Sequence, residues 1–174
     1  MRNGGRKLMR DNIWYSLVDA KYRAILLDEC SRLANLTGQG YTIFLAIVSS
    51  TSVATWVLWS KYPAIWAGLV GISQVLHVIK PHVPFIKRGG DYRDISNEFE
   101  SLYLQYEKLW YKYEQGSLDC KKKAEKEFYN LREEELEIGR RYKIHPLRFR
   151  WLVRKSRKEL DNTLCRFFKG ESHV

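Results

Sequence analysis

The chain has 174 residues, 29% of them charged, with a formal net charge of +10 and a mean hydropathy of −0.43. That length admits one domain, or a membrane segment with a small soluble domain behind it. The three cysteines, odd in number and without metal-ligand spacing, read as free thiols, and the absence of a phosphate-cradling glycine loop, an HExxH, a CxxC or a nucleophile elbow excludes the commoner enzyme classes.

Residues 1–10, with Gly4-Gly5 among scattered basic side chains, read as disordered. From about Asp11 a basic, amphipathic helix is expected, because Trp14, Val18, Tyr22 and Ile25 recur at helical spacing. It completes an N-terminal segment of residues 1–40, which either lies along a membrane surface or packs on the rest of the protein. Gly38 and Gly40 stand where this helix should end or bend.

Between Leu33 and Ile79 the only charged residue is Lys61. The stretch divides into two uncharged runs, and a helix needs roughly 20 mostly apolar residues to cross a bilayer, about 17 at least. Residues 41–80 therefore read as a transmembrane hairpin. Its first span, about 41–60, carries Tyr41 at one end and Trp56 and Trp59 at the other, as interfacial aromatics should stand. Its hydroxyls, Ser49, Ser52 and Thr55 among them, either bond back to the helix or line a wet pore. The second span, about 63–79, opens with Pro63 at a first-turn position. Ala64, Gly68 and Gly71 are small enough to let helices approach closely. Gln74 and His77, one turn apart, are pore-lining candidates or interfacial residues. Pro81 and Pro84 should end the span, and Gly89-Gly90 mark a linker. Residues 1–32 hold seven Lys/Arg, and Lys80, Lys87, Arg88 and Arg93 follow the second run. The positive-inside rule puts both termini in the cytoplasm.

Residues 91–174 read as a cytosolic helical domain. Ile95, Phe99, Leu102, Tyr106, Leu109 and Tyr113 are spaced 4, 3, 4, 3, 4, which is a heptad-like seam on one long helix ended by Gly116. A second helix, about 118–138, aligns Ala124, Phe128, Leu131 and Ile138, with Glu135 in the missing seam position. Two helices across so short a turn should pack antiparallel. After Pro146 comes a basic C-terminal helix carrying Arg148, Arg150, Arg154, Lys155, Arg157 and Lys158. From Gly139 to Gly170 eleven Lys/Arg face two acids, a block suited to anionic lipid, RNA or an acidic protein face. No strand pattern competes outside the membrane runs, so the fold class is all-α.

One short motif carries possible chemistry. Arg140 and His145 stand five apart in Arg140-Arg141-Tyr142-Lys143-Ile144-His145, which resembles the R-x(4–6)-H signature of HEPN ribonucleases. The resemblance implies an all-α bundle in which the histidine moves a 2′-OH proton and the arginine steadies the phosphorane. Arg141 departs from the polar residue usual after the motif arginine. The reading without catalysis is a basic turn before the last helix.

A two-span hairpin followed by an all-α domain with a late R-x4-H is similar to the small membrane accessory proteins of type VI-B CRISPR systems. It is also similar to two-span SLATT-type effectors of bacterial immunity. Both resemblances imply a homo-oligomeric, membrane-perforating antiphage effector at a bacterial inner membrane. The first implies an RNA-guided RNase and RNA as partners and a HEPN-like domain that need not cleave RNA. Two spans cannot enclose a channel, so copies must associate, with Ala64, Gly68, Gly71, Phe99, Tyr106 and Tyr113 as candidate contacts. The rival expectations are a membrane-tethered ribonuclease acting through Arg140 and His145, and a passive scaffold on anionic lipid. No cofactor, metal or small-molecule substrate is implied.

Overall fold

The computed structural model describes residues 3–54, 63–79, 88–142 and 149–169, and among them the chain is all-helical, with no strand. Five helices follow in order: α1 (Asn3–Ala54), α2 (Pro63–Ile79), α3 (Gly89–Gln115), α4 (Leu118–Tyr142) and α5 (Arg150–Lys169). They form two compact units, one of residues 1–30 with 91–174 and one of residues 31–90.

The first unit is built on three seams. On α3 the six residues expected inside are all buried, Leu102 and Tyr106 completely. On α4 the buried positions are Ala124, Phe128, Leu131, Glu135 and Ile138. The two helices run antiparallel, as the short Gly116-Ser117 corner requires. Lys112 Nζ meets Glu127 Oε2 at 2.5 Å, Gln105 Nε2 meets Glu134 Oε1 at 3.4 Å and Arg141 meets Glu98 at 3.0 Å, each pair summing to the same register. At the corner a Cβ on Gly116 would stand 2.5 Å from the Lys112 carbonyl oxygen, so a glycine is needed there.

The third seam, on α1, is Ile13, Leu17, Ala20, Ala24 and Leu27, spaced 4, 3, 4, 3 and buried throughout. This corrects in part the sequence reading of Trp14, Val18, Tyr22 and Ile25: Ile25 is buried, but the other three stand on the flank and are only half-buried. The small Ala20 and Ala24 admit a closer neighbour than the aromatics would. At that closest approach Ser96 Oγ donates to the Ala24 carbonyl at 2.8 Å. The aromatics pack sideways, with Trp14 and Trp110 centroids 5.1 Å apart and Arg10 lying 5.3 Å over the Trp110 ring. Residues 11–30 therefore pack on α3 rather than lying alone.

Three further expectations change. The helix begins at Asn3 rather than near Asp11, and it runs through Gly38 and Gly40 without ending. Propagating a formed helix through one poor residue costs only about 1 kcal/mol. Gly89-Gly90 is the first turn of α3 rather than a linker. Ser31 Oγ donates to the Gly89 carbonyl at 2.9 Å, and a Cβ on Gly89 would stand 3.2 Å from that of Ala34. The glycine there permits close helix approach within the second unit.

Pro63 is the first residue of α2, as its missing N–H favours. Among the described residues no helix is long and apolar enough to cross a membrane. The expected hairpin of residues 41–80 is thus not supported as two full spans. The 17 residues of α2 reach about 26 Å at 1.5 Å per residue, short of a ~30 Å hydrocarbon core. Trp56, Trp59, Lys61, Pro81 and Pro84 lie outside the described residues.

Candidate functional site

The HEPN-like pair does not form a described site. Arg140 is exposed in the last turn of α4, and His145 lies outside the described residues. Its neighbour Arg141 is committed to structure. It bonds Glu98, whose carboxylate also accepts from the Tyr142 hydroxyl at 2.7 Å. That carboxylate raises the Arg141 pKa by its charge and the Tyr142 pKa by accepting a hydrogen bond from its hydroxyl. The departure from the ribonuclease pattern at Arg141 therefore has a local reason: this arginine ties the end of α4 to α3.

Phe99, Tyr106 and Tyr113, expected as contacts between copies, are buried inside the first unit against its own helices. A heptad seam attracts a partner helix, and here the partners are α1 and α4 of the same chain. Lys155, expected among the anion-binding residues, holds Glu29 at 2.7 Å. Glu29 is buried, so this lysine answers a desolvated carboxylate rather than a ligand. Arg150, Arg154, Arg157 and Lys158 remain exposed on α5, and Arg148 lies outside the described residues.

An open groove of about 440 Å³ runs between α1 and α4, lined by Asn12, Tyr15, Ser16, Asp19, Phe128 and Arg132. Sequence reasoning misses it, although Glu135 in an apolar seam is its signal. Glu135 is 8% exposed and receives Arg132 Nη1 at 2.7 Å, Arg23 Nη1 at 3.6 Å and the Tyr106 hydroxyl at 3.5 Å. Arg23 in turn holds Asp19 at 2.8 Å. Two acids and two arginines cancel, so the wall of the groove selects no ligand charge. The Tyr106 pKa is pushed well above its usual value, first by burial and then by the Glu135 carboxylate. That phenol stays protonated and makes no general base. The network fastens α1 to α4. Among the described residues no group of three or more His, Cys, Asp or Glu stands where it could hold a metal.

The second unit offers a different kind of surface. On α2 the residues Ala64, Gly68, Gly71, Val75 and Val78 are all exposed and spaced 4, 3, 4, 3, a seam of small and β-branched side chains. Nothing lies within 4 Å of where a Cβ on Gly68 or Gly71 would stand. Ile43, Ile47, Ile72, Val75 and Val78 are 54–65% exposed. Of the pore-lining candidates, Gln74 is exposed. Ser49, Ser52 and His77 have helical backbones but side chains outside the description, and Thr55 lies outside the described residues. No family of known proteins matches the chain, and neither a curated protein nor a solved structure does.

Proposed function

We propose that this chain is a membrane-active, self-associating protein whose second unit buries its apolar surface in a bilayer and among copies of itself. The observation that carries this reading is the seam on α2: an exposed, uncharged helix face in a stretch with one charge between Leu33 and Ile79. Leaving Ile43, Ile47, Ile72, Val75 and Val78 half-wet forgoes on the order of 5 kcal/mol of apolar transfer. Small residues at a 4, 3 spacing suit helix–helix contact in lipid, where close approach replaces the hydrophobic drive. A shortfall of about 4 Å for α2 is met by local bilayer thinning, at fractions of a kcal/mol per Å. A membrane-perforating effector of bacterial antiphage defence, as the resemblances imply, is the function class such a surface serves.

The test uses the purified full chain and phosphatidylcholine vesicles loaded with a self-quenched dye. The expected result is vesicle association that survives a carbonate wash, together with dye release. Gly68→Ile with Gly71→Ile should lower release at least tenfold while association persists, because bulk in the seam separates copies without removing apolar area. A chain that stays monodisperse and monomeric without amphiphile, and ignores the vesicles, overturns the proposal.

A further inference from the structure

Helix α5 breaks two rules of helix stability, and among the described residues no ion pair compensates at four of its five leading cations. Its first turn carries no acid, while residues 150–158 hold five cations and no anion. Cations at a helix N-terminus stand against the positive end of the macrodipole, the reverse of the stabilising arrangement. Lys155 is accounted for by Glu29. The other four, Arg150, Arg154, Arg157 and Lys158, are exposed, and no ion pair binds them among the described residues. The acids of the helix, Glu159 and Asp161, come only after this run.

Two aromatics share the same end. Phe149 is 48% exposed and Trp151 is 53% exposed. They stand beside the cations, while Leu152, Ser156 and Leu160 form the face turned inward. Broken local rules without internal compensation mark functional surface. We infer that the outer face of α5 is a docking surface for an anionic phospholipid bilayer, with Arg150, Arg154, Arg157 and Lys158 on the headgroups and Trp151 and Phe149 at the interface.

Charge complementarity selects an anionic occupant, and shape selects the bilayer. The four cations spread along one convex helix over about 12 Å, and neither of the two grooves described on this unit is lined by a residue of α5. Single-stranded nucleic acid asks for a charged channel with successive stacking rings. A planar anionic surface asks only for cations within a Debye length and aromatics at headgroup depth. The inference is separate from embedding of the second unit, since a peripheral helix binds headgroups whether or not another segment inserts.

The experiment is co-sedimentation of the full chain with vesicles of phosphatidylcholine alone or with 30% phosphatidylglycerol, and titration of a labelled single-stranded RNA of mixed sequence. The wild type should favour the anionic vesicles at least tenfold at 0.1 M salt, and the preference should vanish at 1 M salt. Arg154→Gln with Lys158→Gln should reduce the anionic partition roughly 10- to 30-fold, at about fivefold per cation removed, with unchanged helicity and melting temperature. Trp151→Ala should weaken binding to anionic vesicles severalfold. A double variant that keeps the wild-type preference overturns the inference, as does RNA binding lost in that variant while vesicles show no charge preference. Carbonate-resistant association with neutral vesicles but no preference for anionic ones sinks this inference and leaves the proposed function standing. Salt-reversible binding to anionic vesicles alone does the opposite.

Discussion

The sharpest test of the packing argument is Glu135, an acid in an apolar seam. It accepts from Arg132 at 2.7 Å, from the Tyr106 hydroxyl at 3.5 Å and faces Arg23 at 3.6 Å. Glu135→Ala removes the shared acceptor and leaves a hole beside Tyr106, Phe128 and Leu131. A hydrogen bond to a charged group contributes about 1.5–3 kcal/mol, but both arginines are about half exposed and find water, which discounts that figure by half or more. Adding roughly 1 kcal/mol for the partial cavity, the loss is about 2–3 kcal/mol. Glu135→Leu makes the same deletion but fills the seam, restoring about 2 kcal/mol of apolar burial, and should come within about 1 kcal/mol of the wild type. Thermal unfolding followed by circular dichroism in mild detergent reads the difference. At about 4–8 °C per kcal/mol for a unit of this size, Glu135→Ala should melt some 10 °C lower and Glu135→Leu nearly at the wild-type temperature. If Glu135→Leu is as damaging as Glu135→Ala, the charge network contributes specific stability that seam packing cannot replace, and the reasoning is wrong.

Further outcomes follow from single sites. Ser156 is fully buried with its hydroxyl unpartnered, so Ser156→Ala should be neutral or raise stability by up to about 1 kcal/mol in denaturant titration; a loss of more than that would show that the hydroxyl is bonded. Gly116→Ala drives a Cβ to within 2.5 Å of the Lys112 carbonyl oxygen and 2.9 Å of the Cys120 Cβ. It should cost about 1–3 kcal/mol, whereas Gly139→Ala, with nothing within 4 Å, should gain a few tenths to 1 kcal/mol. Tyr106 binds its proton more tightly folded than unfolded, so its contribution is complete below about pH 10 and is lost as the pH rises beyond that value. Tyr106→Phe should flatten the alkaline limb of the stability curve, and an unchanged slope between pH 10 and 11.5 would contradict the assignment.

The first unit was largely legible because its signals are periodic. The α3 seam from Ile95 to Tyr113 and the α4 seam around Phe128 are buried as their spacing requires, and Gly116 turns the chain between them. The α1 seam was misread by one position. Trp14, Val18 and Tyr22 together carry far more side-chain surface than Leu17, Ala20 and Ala24, yet a three-helix interface places small residues where axes approach and aromatics at the margins. Size, not hydrophobicity, decided the register. The groove beside Tyr106 was illegible for a related reason. It depends on Arg23 and Arg132, more than a hundred positions apart, converging on one carboxylate, and no local spacing encodes that meeting.

The misassigned contact residues sharpen where association between copies should be sought. Phe99, Tyr106 and Tyr113 have strong pairing character, but they are buried in a seam that α1 and α4 already satisfy and are not presented to a second copy. The seam on α2 has weaker side chains and is open along its length. Its glycines contribute little burial in water, so such a surface gains by association chiefly where the surrounding medium supplies no hydrophobic drive and close backbone approach is what remains. The composition of α2 thus argues for lipid as its working solvent more strongly than its length does. Five exposed apolar positions without a charge would be a liability in water, and in a bilayer they are the expected exterior.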